Sequence, residues 1–242
     1  MGLFMLESKN ICLCSSALPE KIANRLGEEF TLIPLPPDRT VDEPVQHHPD
    51  MICAAVEKTV FFHRSYAESH PELMAEIAEK SGCRIVLTDS PRSKNYPEDI
   101  ALNAAVLSSA LVCLAPHTAP ELLREAENTG RRVISVKQGY AACSSLVCRE
   151  AVLTSDRGIH RALTECGIDC SYISSDGIAL PGYGCGFIGG SGGIYEKKLY
   201  LFGSDETLSD RAALRSFADS HCLEIVCLSD DALTDYGGMK FL

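Results

Sequence analysis

The sequence predicts an α/β fold built from five copies of one unit, a two-stranded hairpin followed by a helix and a single apolar strand, arranged as a ring. Three observations predict it. The unit recurs every roughly 40 to 50 residues, the spacing of a repeat architecture. The one hairpin missing from the series can be supplied by the two chain ends. Finally, 242 residues that are 45% hydrophobic can bury a substantial core, so a single domain over 1–242 is expected.

Asn10–Cys14 reads as an apolar strand with no partner upstream, followed by a helix over Pro19–Glu28 and the strand Phe30–Ile33. In the second unit Asp50–Val56 pairs with Thr59–His63 across Glu57-Lys58. The helix Ala67–Lys80 follows, with Leu73, Ile77 and Ala78 on one face and Ser69 placed to cap it, and feeds the strand Arg84–Leu87. The third unit runs Asp99–Leu107, Ser108-Ser109, Ala110–Leu114. Its helix Thr118–Asn128 has Thr118 as N-cap, Pro120 in the first turn and Gly130 just past the end, and Arg132–Val136 is its last strand. The fourth comprises Tyr140–Cys148, Arg149-Glu150, Ala151–Leu153, a helix Ile159–Cys166 and the strand Cys170–Ile173. The fifth comprises Gly186–Tyr195, a turn near Glu196-Lys197, Leu199–Phe202, a helix Ser209–Ser220 and the strand Glu224–Leu228. Gly238–Leu242 is a last apolar strand. Pairing it with Asn10–Cys14 closes the ring and removes both sheet edges.

Five hairpin–helix–strand units in a ring resemble the pentein fold, a five-bladed α/β propeller. That fold houses guanidino-group enzymes such as dimethylargininase, arginine deiminase and amidinotransferase, and a non-enzymatic ribosome anti-association factor. The fragments His48–Met51, Gly139–Ser144 and Leu180–Gly190 also resemble a bacterial family characterised only as a domain of unknown function.

Charge and composition narrow the function. A net charge of −11 argues against nucleic acid and against an anionic membrane face, since both require a basic patch, and it weighs against the ribosome-factor analogy. No apolar run reaches the length of a membrane-spanning helix, and Met-Gly-Leu-Phe-Met-Leu lacks the basic start of a secretory signal. Of the twelve cysteines, Cys12, Cys14, Cys53, Cys113, Cys148 and Cys227 fall in apolar strands, where free thiols pack as small hydrophobes; a reducing cytoplasm is the expected location. The spacings Cys12–Cys14 and Cys166–Cys170 do not match zinc knuckles, and His47, His48 and Asp50 lack a visible fourth ligand, so neither a metal nor another cofactor is expected.

In such a ring, polar side chains at the heads of the inner strands converge on one axial space. The candidates are His48, Asp50, Glu98, Asp99, Asn103, Tyr140, Cys143, Ser144, Tyr183 and Cys185. Asp50 and Asp99 open strands that are otherwise apolar, and a carboxylate taken out of water needs a cation or hydrogen-bond donors. Either aspartate can instead cap a solvated strand end. The resemblance implies carboxylates holding a guanidinium, a cysteine attacking its central carbon and a histidine moving the proton. Asp50 and Glu98 or Asp99 fall at the implied acidic positions, which open the second and third units. The fourth unit, however, has Gly139 and Tyr140 where a histidine is implied, and Asp235–Leu242 at the end of the chain keeps the implied glycines without the cysteine.

Two readings follow. The first is a protein that binds a small polar molecule, of guanidino or amidino type, in the axial cleft without turnover, using Asp50, Glu98, Asp99, Asn103, Tyr140, Ser144, Tyr183 and Cys185; a protein partner is not specified. The second is a divergent guanidine-modifying hydrolase or amidinotransferase with Cys143 as a relocated nucleophile, activated by nearby Lys137, and His48 as its base. The glycine-rich stretches 182–186 and 189–193 suit either close packing at the axis or an anion held by backbone N–H groups.

Overall fold

The structure, a computed structural model, describes residues 10–242. The expectation about a secretory signal in Met1–Leu6 lies outside them.

Each unit forms one three-stranded sheet. Strand β1 (Ile11–Ser15) is joined through helix α1 (Glu20–Gly27) to the parallel strand β2 (Thr31–Leu35). A single helical turn, α2 (Pro49–Ile52), leads into β3 (Cys53–Val56), which pairs antiparallel with β4 (Thr59–His63). Two helices, α3 (Arg64–Ser69) and α4 (Pro71–Ser81), cross to β5 (Arg84–Thr88), parallel to β4. The third sheet holds β6 (Ala105–Val106), β7 (Ala110–Cys113) and, beyond α5 (Pro120–Asn128), β8 (Arg132–Ser135). The fourth holds β9 (Ser145–Cys148), β10 (Ala151–Thr154) and, beyond α6 (Arg157–Glu165), β11 (Asp169–Tyr172). The fifth holds β12 (Gly192–Tyr195), β13 (Lys198–Leu201) and, beyond α7 (Arg211–Ser220), β14 (Glu224–Cys227). The last strand, β15 (Lys240–Phe241), pairs antiparallel with β1, with Cys12 opposite Phe241 and Leu13 opposite Lys240. The chain ends thus complete the first sheet, as the strand pattern predicts.

Packing repeats with the same period. Leu13, Ile33, Val60 and Ile77 form a core between the first and second sheets. Phe61, Val56, Leu111 and Leu122 form one between the second and third, and Val112, Ile134, Val152 and Leu163 one between the third and fourth. Leu153, Leu199, Leu214 and Phe217 join the fourth to the fifth, while Tyr200, Phe202, Cys14 and Leu26 join the fifth back to the first. Residues beside or on the inner strands of all five sheets, among them Ala55, Ala105, Leu146, Gly193 and Phe241, line one cavity of about 270 Å³.

Three local expectations are corrected. The predicted helix Ala67–Lys80 is two helices broken at His70, because Pro71 disfavours helical backbone in the residue before it; His70 sits at φ −135° and ψ 56°. Ser69 therefore caps nothing: its hydroxyl donates to the Ser65 carbonyl, and His63 caps α3 instead. Thr118 is not the N-cap of α5 either, because Ala119 takes that place and the Thr118 hydroxyl turns back to the Leu114 carbonyl. Gly130, at φ +76°, does lie past the helix end in the left-handed region, and Gly82 does the same for α4.

The third correction matters most for function. The inner strands do not begin at Asp50, Asp99, Tyr140 and Gly186. Each is preceded by a compact turn: the α2 turn behind Pro49, the turn at Asp99–Asn103, the turn closed by Ser144 N–H to the Tyr140 carbonyl at 3.0 Å, and a 3₁₀ turn at Gly189–Ser191. Along a strand, alternate side chains would face opposite ways. Side chains leaving a turn need not alternate, so several polar groups reach the same mouth.

Candidate functional site

Above the inner strands lies a small cavity of about 80 Å³. Its walls include Tyr140, Tyr183 and Phe187, and its charged or titratable lining includes Asp42, Asp99, Asp235, His48, Cys143 and Lys94. Tyr140 and Phe187 are stacked, with centroids 6.4 Å apart and planes 27° from parallel. Asp99 is delivered by the loop that follows β5. That loop is anchored by Arg92, whose side chain is buried with Asp38: Nη2 lies 2.7 Å from Asp38 Oδ2 and also donates to the Met51 carbonyl at 2.7 Å. At the loop's end, Asp99 Oδ2 accepts from the Tyr140 hydroxyl at 2.7 Å. Asp99 Oδ1 is buried and has no partner among the described residues. On the opposite side, the half-exposed Tyr183 donates to Asp42 Oδ2 at 2.7 Å, spanning the mouth from a glycine-containing loop.

Beneath this cavity sits a second polar cluster. Asp50 is 1% exposed, and neither carboxyl oxygen has a well-formed hydrogen bond among the described residues. Burial pushes its carboxyl up to about 6, against the opposing pull of Lys240 and the Cys143 thiol. Asp235 is equally enclosed. Its oxygens accept from Gly237 N–H and Phe187 N–H, both at 2.9 Å, yet burial and the Asp50 charge raise it to about 7. Burial, with a smaller push from His47, lowers His48 to about 4, so its imidazole is neutral at pH 7; Nδ1 lies 3.5 Å from Asp235 Oδ1. Burial, then Asp50 and Asp235, push the Cys143 thiol well above its ordinary range.

That last effect corrects an expectation. Lys137 is not among the charges that govern Cys143; the groups around the thiol are carboxyls, which disfavour a thiolate. Its one opposing contact is Asn103 Nδ2, which approaches the sulfur at 2.9 Å.

The sequence candidates separate into three groups. His48, Asp99, Tyr140, Cys143 and Tyr183 line the cavity together. Asp50 lies outside it and lines the larger cavity of about 270 Å³ instead. Four line neither cavity. Glu98 and Cys185 are exposed, Ser144 is fully buried, and the Asn103 amide is committed to backbone, donating to the Asp50 carbonyl at 3.0 Å and accepting from Ala142 N–H at 2.8 Å. Asp42, Asp235, Phe187 and Lys94 complete the lining without having been singled out from sequence. For Asp235 a signal existed, since aspartate two residues before glycine is an Asx-turn pattern, and its Oδ1 does accept from Gly237 N–H. The glycines at 189 and 190 are explained by packing: a Cβ on Gly189 would collide with the Ala142 carbonyl, and one on Gly190 with the Asp235 carboxyl.

Five such sheets in this order give the chain the fold of two solved structures. The chain superposes on SxtG, an amidinotransferase from Microseira wollei in the saxitoxin biosynthetic pathway, with a TM-score of 0.55 and 8% identity, covering 92% of this chain and 89% of that one. It superposes on a histidine-to-glycine variant of dimethylarginine dimethylaminohydrolase, in adduct with S-methyl-L-thiocitrulline, with a TM-score of 0.58 and 8% identity, covering 97% and 100%. At this identity the likeness is one of fold. The chain belongs to the family of unknown function DUF6873, which it matches over residues 13–240. No curated protein matches it.

Proposed function

We propose that this protein is a single domain whose five sheets close into a ring and whose small cavity binds a compact organic cation. The closure is supported by five cores, each shared by successive sheets, the last returning to the first. The binding reading rests on one observation above all: Asp99 presents a buried carboxyl oxygen with no partner among the described residues, in a cavity walled by three aromatic rings. A carboxylate and aromatic faces together favour a cation desolvated between them. Guanidino and amidino cations, the class handled by the neighbours in fold, are the first compounds to test.

Binding without thiol attack is the reading the site favours. A nucleophilic cysteine needs a thiolate and a base to form it. Burial and two carboxyls keep Cys143 protonated, and the neutral His48 imidazole lies 3.5 Å from Asp235 Oδ1. The last strand offers Lys240 and Phe241 in place of a cysteine. Twelve free thiols fit a reducing compartment such as the cytoplasm. Among the described residues no helix is long and apolar enough to cross a membrane.

Isothermal titration with methylguanidinium and acetamidinium tests the reading. Saturable binding that Asp99→Asn weakens is expected; heats indistinguishable from dilution for every small organic cation would refute it. Turnover is tested with a haloacetamidine at neutral pH, which should label exposed Cys166, Cys185 and Cys222 and leave Cys143 intact. Selective loss of the Cys143 thiol would favour the hydrolase or amidinotransferase reading.

A further inference from the structure

Resting on the cation reading above, we infer that the cavity selects a tertiary alkylammonium, a cation with one N–H donor and an otherwise apolar surface, over a planar guanidinium. The inference follows from counting acceptors against donors. A guanidinium on an alkyl stem carries five N–H donors in one plane, and enclosing it requires acceptors for most of them. The carboxyls that line the cavity are largely committed. Asp42 Oδ1 accepts from Glu43 N–H at 3.1 Å and Oδ2 from the Tyr183 hydroxyl at 2.7 Å. Asp235 Oδ1 accepts from Gly237 N–H and Oδ2 from Phe187 N–H. Asp99 Oδ2 accepts from Tyr140, which leaves Asp99 Oδ1 as the lining carboxyl oxygen with no donor among the described residues.

One unengaged carboxyl oxygen, beside oxygens that each already hold a donor, suits a ligand with few donors. Most of the remaining lining is the rings of Tyr140, Phe187 and Tyr183 and the side chains of Met51, Val45 and Leu180, with His48, Cys143 and Lys94 as its other polar groups. Aromatic faces and a thioether hold the methyl groups of an alkylated ammonium well, because its charge is spread over C–H surface that seeks no hydrogen bond. The same surroundings leave guanidinium N–H groups unpaired. Asp99 supplies the charge and the single hydrogen bond, and the rings supply the remaining contact.

The test compares trimethylammonium, tetramethylammonium and methylguanidinium by isothermal titration at pH 7 on the full chain. Because an unpaired buried donor is costly and cation–π contact is not lost on methylation, trimethylammonium should bind about 10-fold more tightly than methylguanidinium. Tetramethylammonium, lacking the N–H, should fall between them. Asp99→Asn should abolish the preference, with folding checked by circular dichroism. A second variant probes the acceptor count itself: Tyr140→Phe keeps a ring in place but frees Asp99 Oδ2, and should narrow the preference by improving methylguanidinium binding. Tighter or equal binding of methylguanidinium by the parent protein overturns the inference and leaves the cation reading standing. Failure of all three cations to bind overturns both. An unchanged ratio in Tyr140→Phe overturns the acceptor argument.

Discussion

Asp38 and Asp50 lie close together in the chain, are almost equally buried, and have opposite surroundings. Asp38 is 4% exposed and fully engaged: Arg92 Nε donates to it at 2.8 Å, Thr40 N–H at 2.9 Å and the Thr40 hydroxyl at 2.6 Å. Burial raises its carboxyl, but Arg92 and Thr40 outweigh burial and hold it below the usual range. Asp50 has no such partners, and burial prevails. The difference separates a structural ion pair from a site. Asp38 and Arg92 fix the loop that carries Asp99, whereas Asp50 lies buried beside Asp235 and Cys143 with no hydrogen-bonded cation among the described residues.

The contrast is open to measurement, and its largest consequence is for Arg92. Replacing it by methionine leaves Asp38 buried without its cation, which should cost about 3–5 kcal/mol in urea unfolding. Removing both charges in Arg92→Met/Asp38→Asn should recover part of that loss. A single-variant cost below about 1 kcal/mol, the scale of a surface pair, would erase the distinction between the two aspartates.

Asp50→Asn should act in the opposite direction and depend on pH. A carboxyl whose folded pKa is raised from 3.8 to about 6 binds a proton more tightly when folded. Its stabilising contribution is therefore complete below about pH 4 and is lost as pH rises through 6, where charge is forced onto a buried group. The amide carries no such penalty. Asp50→Asn should thus stabilise the protein at pH 8 by up to about 3 kcal/mol and change little at pH 4. His48, with its folded pKa lowered to about 4, favours folding increasingly as pH rises from 4 to 6.5. That opposing slope is present in both proteins and cancels in the comparison. Destabilisation of equal size at every pH would show that Asp50 is a satisfied structural group after all.

The smallest effect is at the mouth. Tyr183→Phe removes one hydrogen bond from a half-exposed ring to Asp42, and thermal unfolding should register a loss of about 0.5–1 kcal/mol. A larger loss would make Tyr183 part of the scaffold and not a cover over the cavity.

The sequence makes the repeating plan legible because its signals are local. Strand runs, hairpin turns and helix ends such as Gly130 each sit within a few residues of the element they define. The turns at the heads of the inner strands are hidden for a physical reason. Ile100, Ala101, Leu102, Ala141 and Ala142 are buried, so a turn enclosed by protein shows the same unbroken apolar run as a buried strand. The same burial makes Asp50, Asp99 and Cys143 conspicuous as polar exceptions, which is why half of the site can be read directly. Asp42 and Phe187 cannot be found that way, since Asp42 meets Tyr183 and Phe187 meets Asp235 only after distant units fold together.

The central claim is that Asp99, beneath the aromatic rings, receives a small organic cation. Titration calorimetry of the parent protein and Asp99→Asn with trimethylammonium tests it most directly. The structure predicts one saturable site in the parent, about 10-fold or more weaker in the variant, with both proteins equally folded. Equal affinity in the two, or no binding to the parent, would contradict it.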